Sequence, residues 1–271
     1  MPTRSPRYSS IAIALLCLAA STAAQAALQQ VTVTVENLAP ANGIAFAPLH
    51  FGFHGGSFDA FDLGGVAGAA IVSVAEGGSG TVWQADFAAA DPTASRGTVG
   101  GLLLAGGMAS LTLTVDTALN PYFSFAAMVV PSNDFFIGND APMGYRVFDA
   151  GGNLQLGSIG QQARDIWDAG SEVFDPAAAA FVGNNDLRAD QGSVVAFNFA
   201  ELSGFNGLTT GAGYTFTSGL AASTDVYRIS FSAAPVPEPG SYALMLAGLG
   251  ALGWLSRRRR AGAALGAGRA G

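Results

Sequence analysis

The chain has 271 residues, a net charge of −7 at neutral pH, half of its residues hydrophobic, and one cysteine, Cys17. Lysine is absent, and all 12 basic residues are arginine. Between Leu28 and Ala234 five arginines (Arg96, Arg146, Arg164, Arg188 and Arg228) stand against 18 aspartates and glutamates. That balance of about −13 argues against nucleic acid or anionic lipid as partners.

At the N-terminus, Arg4 and Arg7 form a positive start and Ile11 to Ala20 an apolar run. Ala24-Gln25-Ala26 is a small-x-small cleavage site, so residues 1–26 read as a secretory signal peptide. Leu16 precedes Cys17 where a lipid-modified cysteine would need a small residue. Removing the signal removes the only cysteine, so the exported domain, residues 28–234, has no disulfide despite a permissive compartment. At about 200 residues it is long enough to build a core without staples.

From Val31 the pattern VTVTVEN alternates valine with polar residues, a half-buried strand ended by Asn37 and Pro40. Ile44 to Phe53 predicts a second strand, with Pro48 marking an edge or bulge. His54 opens a glycine- and aspartate-rich loop, HGGSFDAFDLGG, and His50 lies just before it; a structural role is expected for both histidines. Further strands are expected at Ala67–Glu76, Thr81–Phe87, Ser110–Val115, Phe123–Val130, Gly144–Phe148, Ser193–Phe199 and Asp225–Ser232. The helix candidates in the body are Gln161–Trp167 and Ala177–Phe181, both brief. Roughly nine or ten short strands between Gly, Asn, Asp and Pro turns predict an all-β, antiparallel sandwich or barrel.

Past Ala234 the chemistry changes. Val236-Pro237-Glu238-Pro239 is rigid and extended, Ser241 to Leu255 is apolar and predicts a short helix, and Arg257, Arg258, Arg259 and Arg260 follow as a basic block. A span of about 15 residues is shorter than the ~20 of a permanent membrane helix, which suits a temporary anchor. Residues 261–271 are expected to be a disordered tail. The order of these three elements over residues 235–260 resembles the PEP-CTERM sorting signal of exopolysaccharide-making bacteria. The resemblance implies an exosortase-type membrane protease as partner, transient inner-membrane anchoring, and secretion or display at the cell surface. A plain C-terminal anchor is the alternative.

Two acidic loops carry the candidate chemistry. Pro131 ends the Phe123–Val130 strand, and Ser132, Asn133 and Asp134 follow it. Downstream, Asp168 and Glu172 lie four apart across Gly170. If the loops meet, Asp134, Asp168 and Glu172 converge; three carboxylates then need raised pKa values or a hard cation such as Ca²⁺. The alternative on spacing alone is three solvated loop acids. No Gly-x-Ser-x-Gly elbow or zinc-type His/Cys spacing occurs, and carboxylate pairs for glycoside hydrolysis stay open.

The stretch FSFAAMVVPSNDFFIG together with DAGSE resembles the spondin N-terminal domain of the F-spondin family, with lesser matches in PLHFGFHGG and VSVAEGG. The resemblance spans about Val31 to Phe231. It implies a C2-like β-sandwich, a non-enzymatic role in adhesion or the exopolysaccharide matrix, and calcium held by Asp134, Asp168 and Glu172. Glu172 stands where animal members have aspartate; the family's His-Pro-Gly element and disulfides are absent. Two other readings remain: an extracellular hydrolase acting on polysaccharide, and a structural matrix protein without a bound ion.

Overall fold

The computed structural model describes residues 28–236, 246–250 and 252–253. The expected signal peptide with Ala24 and Ala26, the motif residues Pro237, Glu238 and Pro239, the arginines 257–260 and residues 261–271 lie outside the described residues. The chain divides into two compact units, Met1–Ala234 and Pro235–Gly271. In the second, residues 246–250 and 252–253 are helical; among the described residues no helix is long and apolar enough to cross a membrane.

Among its described residues the first unit is mostly β, with eleven strands: β1 Leu28–Asn37, β2 Ala45–Phe46, β3 Leu49–His54, β4 Ser95–Val99, β5 Met108–Asp116, β6 Tyr122–Val130, β7 Phe135–Gly138, β8 Ser158–Gln162, β9 Trp167–Asp168, β10 Ala196–Phe197 and β11 Asp225–Pro235. They form a four-stranded sheet in the order β5-β1-β11-β8 and a larger one in the order β10-β9-β7-β6-β3-β4, with β2 also pairing β6. Period-two alternation sends Val31, Val33 and Val35 of β1 and Ile229 and Phe231 of β11 inward, to meet Phe51 and Phe53 of β3 and Phe123 and Phe125 of β6. A bulge between Asp225 and Tyr227 lets Val226 and Tyr227 both enter this core. The two sheets thus share one apolar layer.

Their outer faces differ. The four-stranded sheet shows solvent a ladder of hydroxyls: Thr32 with Thr112 at 2.7 Å, Thr34 with Ser110 at 2.8 Å, and Gln30 donating to Thr114 at 2.9 Å. The larger sheet is covered by two helices, α1 (Ala69–Gly77) and α2 (Thr81–Ala90). Their Ile71, Val74, Trp83 and Phe87 pack with Ala126 and Phe136 from the sheet. Burial on both faces is why β6 reads as an almost unbroken apolar run rather than an alternating one.

These helices correct two of the expected strands, Ala67–Glu76 and Thr81–Phe87. The β-branched Ile71, Val72 and Val74 favour a strand locally, but a helix gathers Ala70, Ile71, Val74 and Ala75 on one buried face. Gly78 ends α1 in the left-handed region (φ 65°), its N–H bonding Val74 O while Ser79 N–H bonds Ser73 O. In α2 the buried Trp83 and Phe87 stand four apart, on one side of the helix. Three other expectations also change. Gln161–Trp167 is the end of β8, a 3-10 turn at Ala163–Asp165 and β9, because the Asp165 carboxylate accepts from Gln162 N–H (2.8 Å) and closes the turn. Ala177–Phe181 is a series of turns started by Asp175, which accepts from Ala177 N–H at 2.8 Å. Gly144–Phe148 forms only isolated bridges, of Arg146 with Tyr122 and Phe148 with Leu154.

Candidate functional site

β6 ends at Val130, and the Val130–Pro131 peptide is cis. Ser132 then ties the turn: its hydroxyl donates to Val129 O at 2.6 Å and accepts from Phe135 N–H at 3.1 Å. β7 pairs with β9, setting Phe135 opposite Asp168, so the two acidic loops leave the same end of the sheet. They meet. Asp134 Oδ2 accepts from the N–H groups of Ser171 (2.7 Å) and Glu172 (3.0 Å) and from the Ser171 hydroxyl (3.2 Å). These three side-chain hydrogen bonds all fall on that one oxygen. Gly170, at φ 65°, turns these amides toward Asp134; a Cβ there would lie 2.7 Å from Val194 O.

Asp134 is buried, and burial followed by the charge of Asp168 pushes its pKa up to about 6, against the pull of the Ser171 and Glu172 donors. Asp168 accepts from Gly170 N–H (2.7 Å) and from Asn198 Nδ2 (3.0 Å). The structure therefore brings Asp134 and Asp168 within electrostatic reach of each other.

Glu172 faces other partners. Its Oε1 accepts from Asn133 Nδ2 at 2.9 Å, and its Oε2 lies 3.5 Å from Arg188 Nε, too poorly aligned for a hydrogen bond. Arg188 also donates to the Glu76 carbonyl at 2.8 Å, fastening this loop to the end of α1. Burial raises the Glu172 pKa, with Asn133 and Arg188 opposing the rise. A cavity of about 220 Å³ opens beside this pair, lined by Val66, Val72, Glu76, Ser171, Asp190 and Ser193. Sequence reading missed Arg188, although it is one of five arginines in a strongly acidic body and was legible as a counter-charge.

The donor set suits a hard, oxygen-seeking cation in part. Asp134 and Asp168 would supply carboxylate oxygens, whereas Glu172 is engaged by Asn133 and Arg188. Among the described residues no group of three or more His, Cys, Asp or Glu side chains is placed to hold a metal ion.

The two histidines serve β3. His54 Nδ1 accepts from Gly56 N–H (3.1 Å), and because a backbone amide can only donate, Nε2 carries the proton and donates to Ser124 Oγ (3.0 Å). Ser124 also accepts from Asn139 (3.1 Å). His54 thus donates to this serine and takes no proton from it, the reverse of a nucleophile–base pair.

Residues 235–260 match a family model described as the PEP-CTERM protein-sorting motif. No curated protein matches the chain. The motif marks a protein that an exosortase, a membrane protease, processes, with transient anchoring in the membrane and then secretion to the cell surface.

Proposed function

We propose that the folded domain is a spondin-type, non-enzymatic surface component that binds Ca²⁺ through Asp134 and Asp168 and works in adhesion or the exopolysaccharide matrix. The observation that carries this reading is the buried Asp134 carboxylate beside Asp168, with its pKa pushed up to about 6. An anion destabilised in this way gains from a cation more than a solvated acid would. Calcium takes six to eight oxygens and accepts backbone carbonyls and water beside carboxylates. Glu172 joins such a set only by releasing Arg188.

Thermal melting in a calcium titration tests the reading. Calcium binds the folded state and raises the melting temperature; Asp134→Asn with Asp168→Asn removes the rise. If calcium leaves stability unchanged and either variant abolishes a glycosidase activity, the protein is a hydrolase. If neither effect occurs, it is a structural matrix protein. The sorting step is tested separately: Glu238→Ala with Pro239→Ala leaves a larger, inner-membrane-retained species, and unchanged processing overturns it.

A further inference from the structure

The helical layer rests on one row of side chains. On the outer face of β3, His50, Gly52 and His54 follow at i, i+2 and i+4, and each meets the α1–α2 hairpin. His50 Nε2 donates to the carbonyl of Gly78, the residue that ends α1, at 3.0 Å, and its Nδ1 accepts from the Thr98 hydroxyl of β4 at 3.0 Å. The His50 ring lies so close to Gly80 that a Cβ there would collide with it. Gly52 leaves room for the Phe87 ring of α2 in the same way. His54 meets Phe87 edge-on, with ring centroids 5.3 Å apart.

Both imidazoles are buried, and in both Nδ1 is fixed as an acceptor. The titratable and charged groups on the elements packed against them are Glu76 of α1, Asp86 and the capping Asp91 of α2, Arg96 of β4 and Tyr122 of β6. Asp91 favours the charged form of His54, but it is already engaged: Oδ2 accepts from Gly55 N–H at 2.8 Å, and Oδ1 from Thr93 N–H at 3.0 Å and the Thr93 hydroxyl at 2.7 Å. Arg146 stacks on Tyr122 at 5.8 Å from the ring centroid. Glu76 is paired with Arg188 and Asp86 lies on the exposed side of α2, so the carboxylate of this set whose charge bears on His54 is the already engaged Asp91.

We infer that the His50–Gly52–His54 row is an acid-sensitive seat: protonation of its two imidazoles releases the α1–α2 layer while the shared core between the sheets persists. Protonated Nδ1 of His54 points a donor at the Gly56 donor, and the ring must leave its place against Phe87. The Thr98 hydroxyl, by contrast, can turn to accept from His50, so His54 is the more sensitive of the pair. Burial lowers the pKa of both, that of His54 to about 4. The sign follows: the unfolded layer takes up protons below its ordinary pKa of about 6.5, so stability is intact above that pH and is lost as pH falls toward 4.

Hydrogen exchange followed by mass spectrometry, corrected for intrinsic rates, tests this on the secreted domain at pH 7 and pH 4. Protection of residues 69–90 is expected to fall by roughly two orders of magnitude more than that of residues 108–116. His50→Gln with His54→Gln is expected to remove that difference. A uniform loss across both segments overturns the proposal, as does an undiminished difference in the double variant. Should the double variant not fold, the comparison of the two segments in the unaltered protein decides alone.

Discussion

The two sheets use one strand chemistry for opposite ends. Among the described residues the four-stranded sheet is covered on one face only, and β1 and β5 alternate almost residue by residue between inward valine or leucine and outward threonine or serine. The centre of the larger sheet is covered on both faces, so its central strand β6 loses the alternation. The lesson is where interactions carry weight. An apolar side chain between sheet and helices, such as Phe87, is packed away from water, whereas one in the hydroxyl ladder exchanges a protein hydrogen bond for one to water.

The contrast breaks first at Phe87. Phe87→Ala empties a site shared with Phe58, Trp83 and His54 and is expected to cost about 3–5 kcal/mol in denaturant unfolding. A loss near that of a surface substitution would mean that the helical layer contributes little.

Next comes the acidic end of the same sheet. Because the Asp134 pKa is raised from 3.8 to about 6, its carboxyl stabilises the fold fully below 3.8 and loses that contribution as pH rises through 6. The stability difference between the calcium-free protein and Asp134→Asn is expected to change by on the order of 3 kcal/mol between pH 3.5 and pH 7. His54 works in the opposite sense over much of this window, so the paired comparison is needed rather than the unaltered protein alone. Added calcium should flatten the change at the neutral end.

Smaller still is Gly52→Ala, which forces a methyl against the Phe87 ring and should cost about 1–3 kcal/mol in chemical unfolding. Smallest is Thr32→Ala on the open face, expected at about 0.2–1 kcal/mol, with the exposed Glu36–Arg228 pair (3.1 Å) in the same low range. If Thr32→Ala matched Gly52→Ala, the two faces would not differ as described.

Legibility followed the same division. The exposed sheet was readable because VTVTVEN and SLTLTV carry the strict period that one-sided burial imposes. The helices were not, because AGAAIVSVAE is too short and too rich in β-branched residues for period alone to separate helix from strand; the Gly77-Gly78 stop was the overlooked sign. At the acidic loops, Asp134 and Asp168 were visible as strand-end carboxylates, and their loops do meet. That Glu172 turns to Arg188 depends on a contact between residues 16 apart in sequence, which spacing does not encode.

The helical layer also carries its own spectroscopic labels. Trp83 is fully buried in α2, and its indole Nε1 has no hydrogen-bond partner among the described residues. Trp167 begins β9, next to Asp168, and its Nε1 donates to Gly138 O at 3.0 Å. The third tryptophan, Trp254, lies within the matched sorting motif, so residues 28–234 hold two. One emits from a dry, unbonded indole in the hairpin and the other from a bonded indole at the acidic loops. Each indole therefore reports on its own place: a change in Trp83 emission on acidification would follow the proposed release of the helices, and a change in Trp167 emission on adding calcium would follow the proposed binding.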